Sequence, residues 1–193
     1  MRSLLLSLLL AGYLCCAAQN EATRSTTRDH KKILVTRFGF KGGYNRSVIN
    51  GRETATNAKT GYIGDELYGA FFCETRLKEK LSFENELLVS WTDNYHFIEI
   101  PLHLKYHFTA KWTLFAGPKI DFIADNDNDP NESGYRFRNL GASGELGLQY
   151  NIRTWLLLES RYSKGFVEQV DDLSFDINDG KRNTFRIGAG IRF

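Results

Sequence analysis

The stretch Ile98–Phe108 (IEIPLHLKYHF) limits what this chain can become more than any other. Ile98, Ile100, Leu102, Leu104, Tyr106 and Phe108 occupy one set of alternate positions, and Glu99, Pro101, His103, Lys105 and His107 occupy the other. A helix, turning about 100° per residue, would scatter both sets around its circumference. A strand sends successive side chains to opposite faces and keeps the two sets apart. The segment 185–193 repeats the pattern, with Phe185, Ile187, Ala189, Ile191 and Phe193 set against Arg186, Gly188, Gly190 and Arg192.

Carried along the chain, this period predicts eight strands, near 33–45, 64–77, 81–91, 95–108, 112–124, 139–150, 154–165 and 183–193. Lys78-Glu79-Lys80, Thr109-Ala110-Lys111 and Asn151-Ile152-Arg153 read as tight turns. Arg46–Ile63, Asp125–Arg138 and Phe166–Arg182 read as long polar loops, with Trp91–Asn94 a short link at the same end. Alternating short and long links describe an all-β, antiparallel, up-and-down barrel. The segments are close to the 9–11 residues, roughly, that a tilted strand needs to cross a bilayer.

Composition removes other classes. With 17 Gly, only 3 Pro and 13% aromatic residues, the chain suits strands and turns better than a helical bundle or a disordered coil. No apolar run reaches the roughly 18 residues of a membrane helix. A net charge of +2 lacks the basic excess of a nucleic-acid binder, and no nucleic-acid partner is expected.

The N-terminus reads as an address. Met1 and Arg2 precede a short Leu-rich stretch that ends in the small residues Cys16-Ala17-Ala18, the pattern of a secretory signal. Cleavage after Ala18 removes Cys15 and Cys16 and leaves Cys73 as the one mature cysteine, so no intramolecular disulfide framework is expected. The expected organisation is a signal peptide at 1–18, a polar leader at 19–32 and a barrel domain at 33–193.

Alternation alone does not say which face is inside. A soluble lipocalin-like barrel buries its apolar face, and an outer-membrane barrel does the reverse. Here the polar positions mix glycine with opposite charges. Arg37, Lys41, Glu84, Glu86, Glu99, His103, Lys105, His107, Lys119, Asp121, Glu145, Glu159, Arg161, Arg186 and Arg192 are the candidate lumen network. A narrow lumen requires such pairing, because unpaired buried charge is very costly. Tyr44, Trp91, Tyr106, Phe108, Trp112, Tyr150, Tyr162 and Phe193 sit near segment ends, as interfacial girdles do. An integral, multi-pass barrel in a bacterial outer membrane is the reading that follows. Phe72, Leu88, Phe115, Trp155 and Leu157 fall on the lumen side and point to a plugged interior.

A resemblance adds to this. Phe38-Gly39-Phe40-Lys41-Gly42-Gly43-Tyr44-Asn45 resembles the first strand of the PorT-like outer-membrane β-barrel family, often labelled "porin family". Residues 81–88, 98–106 and 114–119 resemble its middle strands. The closing Arg192-Phe193 resembles the terminal strand read by the barrel assembly machinery, with Phe193 as the assembly signal. The resemblance implies outer-membrane lipid and lipopolysaccharide as surroundings, and it raises an envelope partner, including a secretion complex.

No cofactor or catalytic residue is expected. His103 and His107 lie four residues apart in one strand, about 13 Å, too far to share a metal. Ser82, Ser90, Ser143 and Ser163 lack a G-x-S-x-G context. Asp125, Asp127 and Asp129 imitate the start of an EF-hand loop, but Pro130 stands where glycine is needed. Asp171, Asp172, Asp176 and Asp179 form a second acidic stretch. The function expected is structural or interactive. A narrow solute channel is the alternative, and a soluble periplasmic ligand-binding barrel is the next.

Overall fold

A computed structural model describes residues 35–53, 55–91, 95–126, 135–167 and 177–193. The expected signal peptide (1–18) and leader (19–32) lie outside the described residues, as do Asp127, Asp129, Asp171, Asp172 and Asp176. The strands are β1 (Thr36–Glu53), β2 (Lys59–Lys78), β3 (Leu81–Trp91), β4 (Tyr95–His107), β5 (Trp112–Asn126), β6 (Tyr135–Asn151), β7 (Leu156–Gly165) and β8 (Ile177–Arg192). Each pairs with its sequence neighbours, and β1 pairs antiparallel with β8, so the sheet closes into an eight-stranded barrel. Closure leaves no strand edge, which is the condition for a sheet to cross hydrocarbon with its backbone groups satisfied.

The polarity is inverted relative to a soluble barrel. Glu99 and Lys105 on β4 are 0% exposed, whereas Leu104 between them in the alternation is 53% exposed. Phe40, Leu67, Leu146, Ile187 and Ile191 likewise face outward from their strands. Trp112 packs against Tyr150 at 4.7 Å and Phe40 against Phe193 at 6.0 Å, both with tilted rings, as part of an outward aromatic band.

One stretch read as a loop is largely strand, and strands reach into the other two. β1 and β2 run on through Arg46–Ile63, with Val48 opposite Ile63, Asn50 opposite Gly61 and Arg52 opposite Lys59. The turn between them is closed by Glu53 N–H to Ala58 O at 2.9 Å and Asn57 N–H to Glu53 O at 2.8 Å. Asn57 takes a left-handed φ of 55°, which asparagine tolerates well. β6 begins at Tyr135 and β8 at Ile177, inside the other two expected loops. The reason is physical: ladder hydrogen bonds do not require apolar side chains. Where a strand rises beyond lipid, both faces can be polar and the alternation fades. Trp155, expected in the lumen, instead sits in the β6–β7 turn and is 53% exposed.

Inside, bulk is matched to its absence. Phe72 pairs across from Gly39, and a Cβ on Gly39 would fall 2.4 Å from the Phe72 ring. Phe115 pairs across from Gly147, where a Cβ would meet its ring at 2.2 Å. Glycine is required at both positions because an aromatic ring occupies its side-chain space. Small-against-large filling of this kind is how a narrow barrel closes its interior.

Leu87, central in the 11-residue β3 and facing outward, tests the polarity. Leu87→Arg is expected to cost about 2–4 kcal/mol in denaturant titrations on lipid vesicles. Asn50→Arg, on the wet extension of β1, is expected to change stability little.

Candidate functional site

Inward-facing alternate positions from all eight strands build a ladder of ion pairs along the lumen. At the end with short turns, Glu74 meets Arg192 and Lys105, each at 3.1 Å. Lys105 continues to Glu84 at 2.7 Å and to the side-chain oxygen of Gln149 at 2.7 Å. Lys41 then takes Glu84 at 2.8 Å, Glu159 at 3.0 Å and Glu86. Arg161 holds Glu86 at 2.8 Å, Glu145 at 3.0 Å and Glu159 at 3.0 Å. His103 Nε2 lies 2.8 Å from Glu145. Higher up, Glu99 receives Arg186, Lys119 at 2.7 Å, Arg182 at 3.0 Å and the Ser90 hydroxyl at 3.1 Å. Arg182 also holds Glu66 at 2.8 Å and lies 3.7 Å from Asp121.

Among the described residues the buried set holds eight acids (Glu66, Glu74, Glu84, Glu86, Glu99, Asp121, Glu145, Glu159) and seven Lys or Arg (Lys41, Lys105, Lys119, Arg161, Arg182, Arg186, Arg192). His103 joins them, fully buried. Rings line the cations as well. Arg182 stacks 3.6 Å from the Phe97 centroid, and Lys41 lies 4.7 Å from that of Phe72. Tyr68 lies between Arg161 and Arg186, at 5.4 and 5.5 Å, and donates its hydroxyl to Glu159 at 3.2 Å.

Arg37 is a correction to the lumen set. It has the inward parity, but it stands beyond the last filled level, is exposed, and makes no ion pair among the described residues. His107 is at the same mouth, half-buried. Glu66, Glu74 and Arg182 were missed as ladder members. Glu66 and Glu74 lie inside the expected strand 64–77 and share the parity of Tyr68, Ala70 and Phe72, which was the signal for them, whereas Arg182, in parity with Thr184 and Arg186, stands one residue before the expected strand 183–193. Asp125 lies in β5, opposite Arg136 in the ladder.

Two arrangements imitate chemistry. Ligand atoms of Glu84, Glu86 and His103 lie within 4.8 Å of one another, as metal ligands would. The Lys41 ammonium already bridges Glu84 and Glu86, so a cation stands among them. Ser82 Oγ lies 2.7 Å from His107 Nε2, with Glu74 3.6 Å from that same nitrogen. In a catalytic triad the acid holds the opposite nitrogen, which here faces Thr113 Oγ1 at 2.8 Å. Ser82 is also fully buried.

An outward apolar surface, an inward neutralised one and a closed strand ladder define an integral outer-membrane β-barrel. A family model for the outer membrane protein beta-barrel domain matches residues 89–168. No curated protein matches the chain by sequence. Among solved structures the fold is similar to that of Ail, the attachment invasion locus protein of Yersinia pestis, in complex with the heparin analogue sucrose octasulfate. That likeness is at 12% identity and TM-score 0.51, over 82% of this chain and 99% of that one. Neisserial surface protein A is similar at 10% identity and TM-score 0.53, over 81% of this chain and 97% of that one.

Glu99 is the most shared anion of the upper ladder. Glu99→Gln leaves Lys119, Arg182 and Arg186 short of charge and is expected to cost about 3–5 kcal/mol in reversible unfolding. A loss under about 1 kcal/mol, the scale of a solvent-exposed pair, would show that water reaches this level.

Proposed function

We propose that this chain is a side-chain-plugged outer-membrane barrel that acts through its surfaces, as a structural or interacting component of the bacterial envelope. The observation that carries the reading is the content of the lumen. Lys105, Glu84, Glu99, Arg186, Phe72 and Phe115 are all at or below 1% exposure and fill the bore between one mouth and the other. A channel for solutes needs a wetted path, and these side chains are spent on one another.

The rest of the reading is proposed with it, on the sequence pattern and the PorT-like resemblance. Residues 1–18 export the chain and are removed, and residues 19–32 precede the barrel as a polar leader. The short turns face the periplasm, and the strand extensions face outward toward lipopolysaccharide. Phe193 serves as the mark read by the barrel assembly machinery. The PorT-like resemblance favours service in a larger envelope assembly, secretion included. No catalysis and no cofactor enter this reading. The ligand in the Ail structure stays with Ail, since a likeness at 12% identity carries the fold alone.

In planar bilayers the purified protein is expected to give no stable openings of porin size. Frequent, well-defined openings would establish the narrow channel instead. Cross-linking in native outer membrane, followed by purification through this chain, is expected to recover a stable companion. Recovery of lipid alone would leave the structural role and remove the assembly role.

A further inference from the structure

The barrel mouth that carries the short turns holds charges the lumen ladder does not use. A cavity of about 460 Å³ opens there, lined by Arg37, Arg76, His107, Lys111, Arg153 and Arg192 together with uncharged residues of the turns. No carboxylate is among its described lining residues. The six come from separate places in the chain: β1, β2, the end of β4, the β4–β5 turn, the β6–β7 turn and β8.

Their positions are set by the backbone. Asn151 N–H donates to Lys111 O at 2.7 Å and so ties one turn to the other. Arg192 N–H donates to Trp155 O at 2.8 Å. The Arg76 guanidinium donates to Lys78 O at 3.2 Å and to Glu79 O, which holds it over the β2–β3 turn. The nearby acids neutralise only part of the group: Glu74 pairs with Arg192 and lines an adjoining cavity with Arg37 and Arg76. Glu74, beneath the cavity, is shared by Arg192, Lys105 and His107. Glu79 is flanked by Lys78 and Lys80. Arg37, Arg76, Lys111 and Arg153 make no ion pair among the described residues. The polar stretch that precedes the barrel in the sequence is itself net basic. Between residues 19 and 34 it carries Arg24, Arg28, Lys31 and Lys32 against Glu21 and Asp29.

Like charges gathered at one mouth repel, and a compact anion of high charge relieves several of them at once. Guanidinium groups match phosphate oxygens with paired, directed donors. The cavity volume falls within the roughly 300–1,000 Å³ typical of small-ligand sites. We infer that this vestibule is a binding site for a compact, multivalent phosphate-type oxyanion.

The test is calorimetric titration of the full-length mature protein, in zwitterionic micelles, with inorganic tripolyphosphate at constant ionic strength. Saturable one-to-one binding is expected. The double variant Arg37→Gln/Arg153→Gln, which alters two exposed and unpaired side chains, is expected to weaken it at least tenfold. Arg52→Gln, at the opposite end of β1, should leave it unchanged. Identical heat-dependent gel mobility of all three proteins checks that the barrel has formed. A soluble short-chain phosphatidic acid, titrated in parallel, separates the sources. Binding of both ligands admits a lipid headgroup, and binding of tripolyphosphate alone places the ligand in the aqueous phase. Absence of saturable tripolyphosphate binding overturns the inference. So does equal binding by the double variant, or equal weakening by Arg52→Gln.

Discussion

The pairing of buried charges inside a cylinder packed with side chains is the constraint on which the rest of the molecule depends. Unpaired ions in such surroundings cost several kcal/mol each, and their pairing repays that only when hydrogen bonds complete it. The lumen meets the condition in part by sharing, although Arg161 Nε, Arg186 Nε and Arg192 Nε are buried without a hydrogen-bond partner among the described residues. Glu99 serves three cations and Arg161 three carboxylates, so no pair is isolated from the next. The partners are also distant in sequence. Arg192 and Glu74 are 118 residues apart, Arg182 and Glu66 116, and Arg186 and Glu99 87. These cations arrive on β8, so the ladder is complete only when β8 has reached β1. Loop closure of that length is paid before the contacts reward it, which makes the barrel wall and its contents form together.

Aromatic rings do a second job in the same space. Phe72 fills the gap left by Gly39 and also lies beneath the Lys41 ammonium. Phe115 fills the gap left by Gly147, packs against the His103 ring at 4.8 Å and lies 5.9 Å from the Lys105 ammonium. Sterics and electrostatics are therefore solved by the same side chains. A substitution that looks merely too large, such as alanine for Gly147, would also displace a ring from its cation.

The sequence makes the fold readable where lipid imposes opposite demands on the two faces of a strand. Ile98–Phe108 shows this without ambiguity, and every strand was located. Strand ends were misread where the demand lapses. Arg46, Asn50 and Arg52 look like loop residues because the outer face of the upper wall is polar and exposed, although the hydrogen-bond ladder continues through them. Lumen identity was legible from parity, but depth was not, and so Arg37 was set among buried charges when it stands at the mouth. Partner choice was beyond reach for a different reason. Ion pairs cross the bore between strands that are not neighbours, as Arg182 of β8 does to Glu66 of β2, and alternation carries no information about the far wall. The basic vestibule was hidden in the same way, since its residues meet only after closure.

The strands differ greatly in length, with 18 residues in β1 and 20 in β2 against 11 in β3 and 10 in β7. At about 3.3 Å per residue, the longest strand is twice the length of the shortest. Both must thread the same hydrocarbon slab, so the surplus of β1 and β2 stands up beyond it as a parapet, directly beside the shorter β3 in the barrel wall. The protein thus has a compass bearing in the plane of the membrane. A neighbour drifting in from the β1–β2 side meets that raised wall before it reaches the axis.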